Sequence, residues 1–243
     1  MKMRNFLMAL TASSFLALTA CGSGSSEQSS TSSDKETVKT QDAKKVKEKT
    51  EESLTYTVVP EKTELAWKGR KVYQEDYSHN GLVPVSQGEL YVKGGELTGG
   101  NFTADLSRIS DHDLKGAPED STKLVGHLKS DDFFHVKKHP NAKFEITSIK
   151  PYKGEKDASH IISGNLTLRG KTKNIEFPAT VQMKDDMIMA TANFTIDRTR
   201  WGVTYGAEST FEELTDKLKD KVIANDINLN VDLAAKKKAM ASN

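Results

Sequence analysis

Beyond residue 54 the hydrophobic positions follow a period of two. Leu65, Trp67 and Gly69 alternate with Glu64, Ala66 and Lys68, and Leu90 and Val92 with Glu89, Tyr91 and Lys93. Phe102, Ala104 and Leu106 share one side of the next segment. The alternation returns at Ala142, Phe144 and Ile146, at Ile162, Gly164, Leu166 and Leu168, and at Ile175, Phe177, Ala179 and Val181. Ala190, Ala192, Phe194 and Ile196, then Ile227, Leu229, Val231 and Leu233, complete the series. Successive strand side chains point to opposite sides of a sheet, so this spacing predicts strands with one apolar and one wet face. Gly94-Gly95, Gly99-Gly100, Lys153-Gly154, Arg169-Gly170-Lys171 and Asp185-Asp186 supply turns between them. No strand–helix–strand alternation is present, so a parallel α/β sheet is excluded in favour of an all-β sandwich or antiparallel barrel. About eight strands closed into a barrel leave room for packed side chains or one slim ligand.

Two stretches break the period. Asp120 to Phe134 carries Leu124 and Leu128 four apart. Phe211, Leu214, Leu218 and Val222 fall on one helical stripe, with Ser209 or Thr210 as N-cap and Glu212 or Glu213 as capping-box partner. Both are predicted as short helices in connections that fold over the barrel.

The N-terminus obeys different rules. Lys2 and Arg4 precede an apolar run from Phe6 to Ala20, the pattern of a secretion signal and too short for a comfortable span. Leu18-Thr19-Ala20 before the only cysteine, Cys21, resembles the lipobox of bacterial lipoproteins, in which the thiol is acylated and the chain cut just before it. A plain export signal with an incidental cysteine is the other reading. Gly22 is not Asp, so inner-membrane retention is not indicated if the cell has two membranes. From there to Ser53 the chain is Ser, Thr, Lys, Glu and Gly with no aromatic residue, which predicts a disordered tether. The predicted organisation is therefore 1–20 signal peptide, 21–53 lipidated cysteine and tether, 54–235 barrel, and 236–243 flexible tail. The predicted location is the cell envelope, at the outer membrane or the periplasmic face if there are two membranes.

Charge and chemistry narrow the function. A net charge of +1 gives no argument for nucleic acid as a partner. With Cys21 modified, no thiol remains for a disulfide or a nucleophile. There is no G-x-S-x-G elbow and no phosphate-cradling glycine loop before a helix, so no enzyme and no cofactor are expected. His127, His135 and His139 lie close in sequence, and histidines four apart on a helix can hold zinc. Pro140 disfavours helix at His139, and no H-E-x-x-H pattern is present, so these read as loop histidines and no metal is expected. Asp111, His112 and Asp113 read as a polar turn.

Three motifs carry a resemblance. The run Lys123-Leu124-Val125-Gly126-His127-Leu128-Lys129-Ser130-Asp131-Asp132-Phe133-Phe134, with Val136, His139-Pro140, Ala142 and Phe144 after it, resembles the YceI-like family of envelope proteins. So do Gly164-Asn165-Leu166-Thr167-Leu168-Arg169-Gly170 and Phe194-Thr195-Ile196-Asp197-Arg198-Thr199-Arg200-Trp201-Gly202, in the family's order. The match runs from about Thr57 to Ala234. The resemblance implies a lipocalin-like antiparallel barrel with an elongated hydrophobic pocket for polyisoprenoid or isoprenoid-quinone chains, and no catalytic residues. The expected partners are thus a hydrophobic small molecule or lipid, and a membrane through the N-terminal anchor; a homodimer is compatible with the sequence.

The candidate pocket lining is Leu65, Trp67, Leu90, Phe102, Leu106, Phe144, Ile146, Leu166, Leu168, Phe177, Phe194, Ile196, Leu229 and Val231. Alternation alone leaves a hollow and a solid interior equally open, and the second would suit an envelope interaction or stress protein. Phe133-Phe134 is expected to wedge a helix end against the barrel. Asp197, Arg198 and Arg200 are expected to form an ion-paired clasp with an arginine stacked on the Trp201 indole.

Overall fold

The computed structural model describes residues 37–74, 76–154 and 158–239. The predicted signal peptide, Cys21 and the last residues of the predicted tail lie outside them. The strands in chain order are β1 (Thr40–Asp42), β2 (Leu54–Val58), β3 (Glu64–Arg70), β4 (Ser78–Leu82), β5 (Val85–Lys93) and β6 (Glu96–Asp105). Then come β7 (Ser110–Asp111), β8 (Asn141–Pro151), β9 (His160–Leu168), β10 (Lys171–Lys184), β11 (Met187–Asp197) and β12 (Asp226–Lys237). Helices α1 (Pro118–Lys129) and α2 (Asp216–Lys219) lie in connections.

Eight strands close a ring in the order β2-β5-β6-β8-β9-β10-β11-β12, every pairing antiparallel. Strand β12 completes it by pairing with β11 along its whole length and with β2 at Ala235↔Val58. Its other half takes β3, at Val231↔Leu65 and Leu229↔Trp67, so β2 and β3 act as one strand broken at Pro60–Lys62. Strands β4 and β7 extend from β3 beside the ring. The predicted lipocalin-like antiparallel barrel is the fold.

The turns follow the dihedral chemistry of their residues. The β9–β10 hairpin turns on Arg169 (φ 49°) and Gly170 (φ 72°), and glycine takes the left-handed region without strain. Gly164 has a different task. A Cβ there would lie 2.1 Å from the Phe144 ring, so the missing side chain lets that ring cross the interior. Phe102, Phe144, Phe177 and Phe194 form a row of ring contacts across the barrel, ending in a stack at 4.1 Å between Phe177 and Phe194.

Four expectations need correction. The predicted tether is ordered from Thr37: β1 pairs with β10, and Lys47 N–H donates to Ile146 O. Free edges of the barrel offer this polar segment backbone hydrogen bonds that composition cannot reveal. Gly99 and Gly100 are not a turn; both lie within β6, where a Cβ on Gly100 would meet Glu89 O at 2.5 Å. The helix predicted over Phe211 to Val222 reduces to the single turn α2, because backbone around its end is claimed elsewhere: Ala224 N–H donates to Arg70 O, Val72 N–H to Val222 O and Ile223 N–H to Gly206 O. Of the tail predicted from 236, Lys236 and Lys237 belong to β12 and Lys238 N–H reaches Thr55 O.

Candidate functional site

The interior holds two apolar cavities in succession along the same inward faces. On β12, Ile227 lines the first cavity and Leu229, Val231 and Leu233 line the second; on β3, Gly69 and Trp67 line the first and Leu65 the second. The first has a volume of about 210 Å³ and lies beneath α1. The second, about 100 Å³, runs through the centre of the barrel.

Ten of the predicted lining residues surround the central cavity: Leu65, Leu90, Phe102, Phe144, Ile146, Leu166, Phe177, Phe194, Leu229 and Val231. Trp67 faces the cavity under α1 instead, with its indole N–H on Ser110 O at 3.2 Å. Leu106, Leu168 and Ile196 are buried in the core and line neither cavity, so for these three the pocket assignment is corrected. Leu168 and Ile196 lie at the ends of β9 and β11, and Leu106 in the turn that follows β6. Ile162, Ile175 and Ala192 also line the central cavity and follow the same alternation, whereas Leu97 lines it out of phase with Phe102 and Ala104, across an irregularity in the β5–β6 ladder.

The cavity under α1 draws on residues the alternation could not find. Leu124, His127 and Leu128 come from α1, Phe133 and Phe134 from the turn after it, and Arg198 and Ile223 from the other side. Phe133 and Phe134 therefore do more than wedge the helix end, because both line the cavity. Pro118 at the first turn of α1 needs no N–H donor, and Glu119 and Asp120 suit the helix's positive end.

Arg198 is the electrostatic centre of this region. It is 1% exposed and donates to Ala224 O at 3.0 Å, Val203 O at 2.6 Å and Ile223 O at 3.1 Å. Burial lowers its pKa to about 10, against the opposing pull of the Asp197 charge. The predicted clasp exists with a different partner. Arg198 lies over the Phe133 ring at 5.7 Å, while the Trp201 indole is buried and donates to Leu166 O at 2.9 Å. Asp197 pairs with Arg200 at 3.1 Å and accepts from Thr199.

A polar cleft of about 760 Å³ adjoins the cavity, sharing Lys71, His127 and Ile223 with it. Lys71, Arg169 and Lys221 stand against Asp131, Asp132 and Asp220 in its wall, so the charges balance. His127 packs edge-on against Phe133 and Tyr205 and meets Asp132 at 3.2 Å. His135 pairs with Asp131 at 3.1 Å. Among the described residues no three His, Cys, Asp or Glu side chains are grouped to hold a metal ion. In the polar turn, Asp113 accepts from His79 and from Asn80 N–H, each at 2.7 Å. Burial pushes the Asp113 carboxyl up, but these bonds and the His79 charge outweigh it and leave the pKa below its usual value.

The YceI-like domain model matches residues 56–235, which takes in the closed ring, both cavities and α1. The chain belongs to the YceI-like family. It is 44% identical over 88 residues to a UPF0312 protein of Pseudomonas putida (strain W619), covering 33% of this chain and 44% of that one. Against a UPF0312 protein of Pseudomonas aeruginosa (strain LESB58) it is 45% identical over 58 residues, 24% and 26% of the two chains. The matched region thus spans less than half the length of these curated relatives. Among solved structures, Burkholderia cenocepacia BcnA superposes with a TM-score of 0.57 at 19% identity, over 74% of this chain and 99% of that one. A polyisoprenoid-binding domain from Saccharophagus degradans, implicated in plant cell wall breakdown, gives 0.53 at 15% identity over 76% and 99%. These two likenesses show a shared fold. The YceI-like barrel here carries its two cavities on that fold, with its polar groups gathered at the α1 end.

Proposed function

We propose that this YceI-like protein is a non-catalytic binding protein for a long-chain isoprenoid-type lipid, a polyprenoid or an isoprenoid quinone. It carries or sequesters that lipid in the cell envelope and is held at a membrane through Cys21. The observation that carries the reading is the succession of two apolar cavities along the inner faces of β3 and β12. An elongated chain with repeated methyl branches suits such a lining better than a compact polar substrate does. Each buried CH₂ contributes about 0.8 kcal/mol, so ten carbons supply roughly 8 kcal/mol before the costs of association. The charge-balanced cleft beside the α1 cavity suits a neutral polar headgroup. The polyisoprenoid-binding domain that shares the fold supports the ligand class.

The test is mass spectrometry of organic extracts of the protein purified from its native host without detergent. A near-stoichiometric polyprenoid or quinone is expected. A clean extract, with no uptake of added isoprenoids, would overturn the reading and favour a filled barrel acting as an envelope interaction protein. The row of phenylalanine rings and the slim central cavity are what favour that second reading. Anchoring is checked separately: Cys21→Ser is expected to move the protein from the membrane fraction to the soluble one.

A further inference from the structure

One seam of the ring opens beside the central cavity. Strands β10 and β11 pair with each other only from Ala179↔Ala192 to Lys184↔Met187. Beyond that point they part, and Pro178, with no N–H to give, stands where the ladder ends. Ile175 and Phe177 on one lip and Ala192 and Phe194 on the other all line the central cavity. From inside, the Phe177–Phe194 stack bridges the gap.

From outside, residues 38–42 cover it, and the segment runs on over β9 and β8 to Lys47. Val38 N–H donates to Thr195 O on β11 at 2.8 Å, and Thr40–Asp42 pair with Ile175, Asn174 and Lys173 on β10. Farther on, Lys44 exchanges backbone bonds with the Asn165 amide at 2.9 and 2.7 Å. Asn165, Asn174 and Thr195 point outward from the barrel, yet they are 4%, 1% and 2% exposed. Outward polar side chains are ordinarily wet. Here they are built to be covered, with Asn174 bonded to Asn165 and Thr147 beneath the strap. The strap itself buries little: Val38 and Val46 are half-buried, and Gln41 to Lys45 are exposed. It also lies outside the region matched to the family.

We propose that the seam between β10 and β11 is a lateral portal to the central cavity and that residues 37–47 are its door. The strap holds by a few backbone bonds, by polar contacts of Thr37, Asp42 and Lys44, and by little apolar surface, so it opens without unfolding the ring. Opening bares two strand edges beside the Phe177–Phe194 stack, which lines the cavity. A chain lipid then passes sideways between the lips. This inference rests on the chain-lipid reading above.

Two measurements test it. Hydrogen exchange on the full chain is expected to show amides of residues 38–47 exchanging about a hundredfold or more faster than those of β8 and β9. Exchange of the strap only together with those strands overturns the door. The second uses the full chain carrying Cys21→Ser, Asp42→Cys and Lys173→Cys, which places a cysteine pair at directly opposed positions of β1 and β10. Menaquinone-4 is the probe, and quenching of tryptophan emission is the readout, since Trp67 lines the cavity under α1. Oxidation is expected to slow uptake and release about tenfold or more, and reduction to restore both. Equal rates in the two redox states overturn the portal alone. No uptake in either state overturns the chain-lipid reading and the portal with it.

Discussion

The two cavities are neighbours made on different principles. The central one is walled by regular strands and lined by Leu, Phe, Ile, Val and Ala, with Lys143 as its only charged residue. The one under α1 is walled by a helix, turns and strand ends, and a buried guanidinium ties the Val203 and Ile223–Ala224 segments beneath the Phe133 ring. Apolar packing is non-directional and tolerates exchange of one hydrocarbon for another of like volume. A buried cation satisfied by three carbonyls has no such tolerance. The barrel centre should therefore absorb sequence change, and the α1 end should not.

That contrast can be broken by measurement. Arg198→Leu leaves the carbonyls of Val203, Ile223 and Ala224 without their donor and should cost about 3–5 kcal/mol in urea unfolding. Leu166→Met in the central wall should cost less than about 1.5 kcal/mol. Equal losses in the two variants would sink the comparison. Gly164→Ala sharpens it from the other side. The new methyl group meets the Phe144 ring, and the displaced ring should cost about 1–3 kcal/mol and shrink the central cavity. Unchanged near-UV dichroism and unchanged stability would show that the ring row is loose.

The smallest effect concerns acid. Asp113 has a folded-state pKa below its ordinary value, so its contribution is present above the unfolded pKa and lost as pH falls through the folded one. The carboxylate is partly solvated, which limits the effect to below about 1 kcal/mol. Asp113→Asn should lower neutral stability by that small amount and remove this group's share of the stability lost as pH falls below the ordinary carboxylate range. Acid unfolding midpoints that coincide for the two proteins would count against any contribution from this pair.

These differences also explain what could be read from the chain. Residues such as Leu229 and Val231 announce themselves because the strand period is two, and one face is always inward. Ile175 and Ala192 were legible by the same rule and were passed over among larger neighbours. His127, Phe133 and Ile223 reach their cavity from a helix, a turn and a loop that share no period, so no local pattern joins them. Thr37 to Lys47 is opaque for another reason. A polar segment with two valines carries no signal of its own, and its place comes from partners far along the chain on β8, β9, β10 and β11. The predicted Arg198 clasp shows the limit for single residues: a buried role was legible, but the ring beneath the guanidinium was not.

One feature of the ring sets how the chain reaches this state. Strand β12, the last in sequence, supplies the closing partner for both β2 and β3, joining Ala235 to Val58 and Val231 to Leu65. These are among the most distant pairings the described chain contains, and loops of that length form late and slowly. A ribosome-bound chain cannot seal its barrel before β12 is free. Until then the inner faces that hold the two cavities stay open to other apolar surfaces. Loss of β12 would leave β2, β3 and β11 as exposed edges, so a barrel interrupted before that strand becomes a candidate for aggregation.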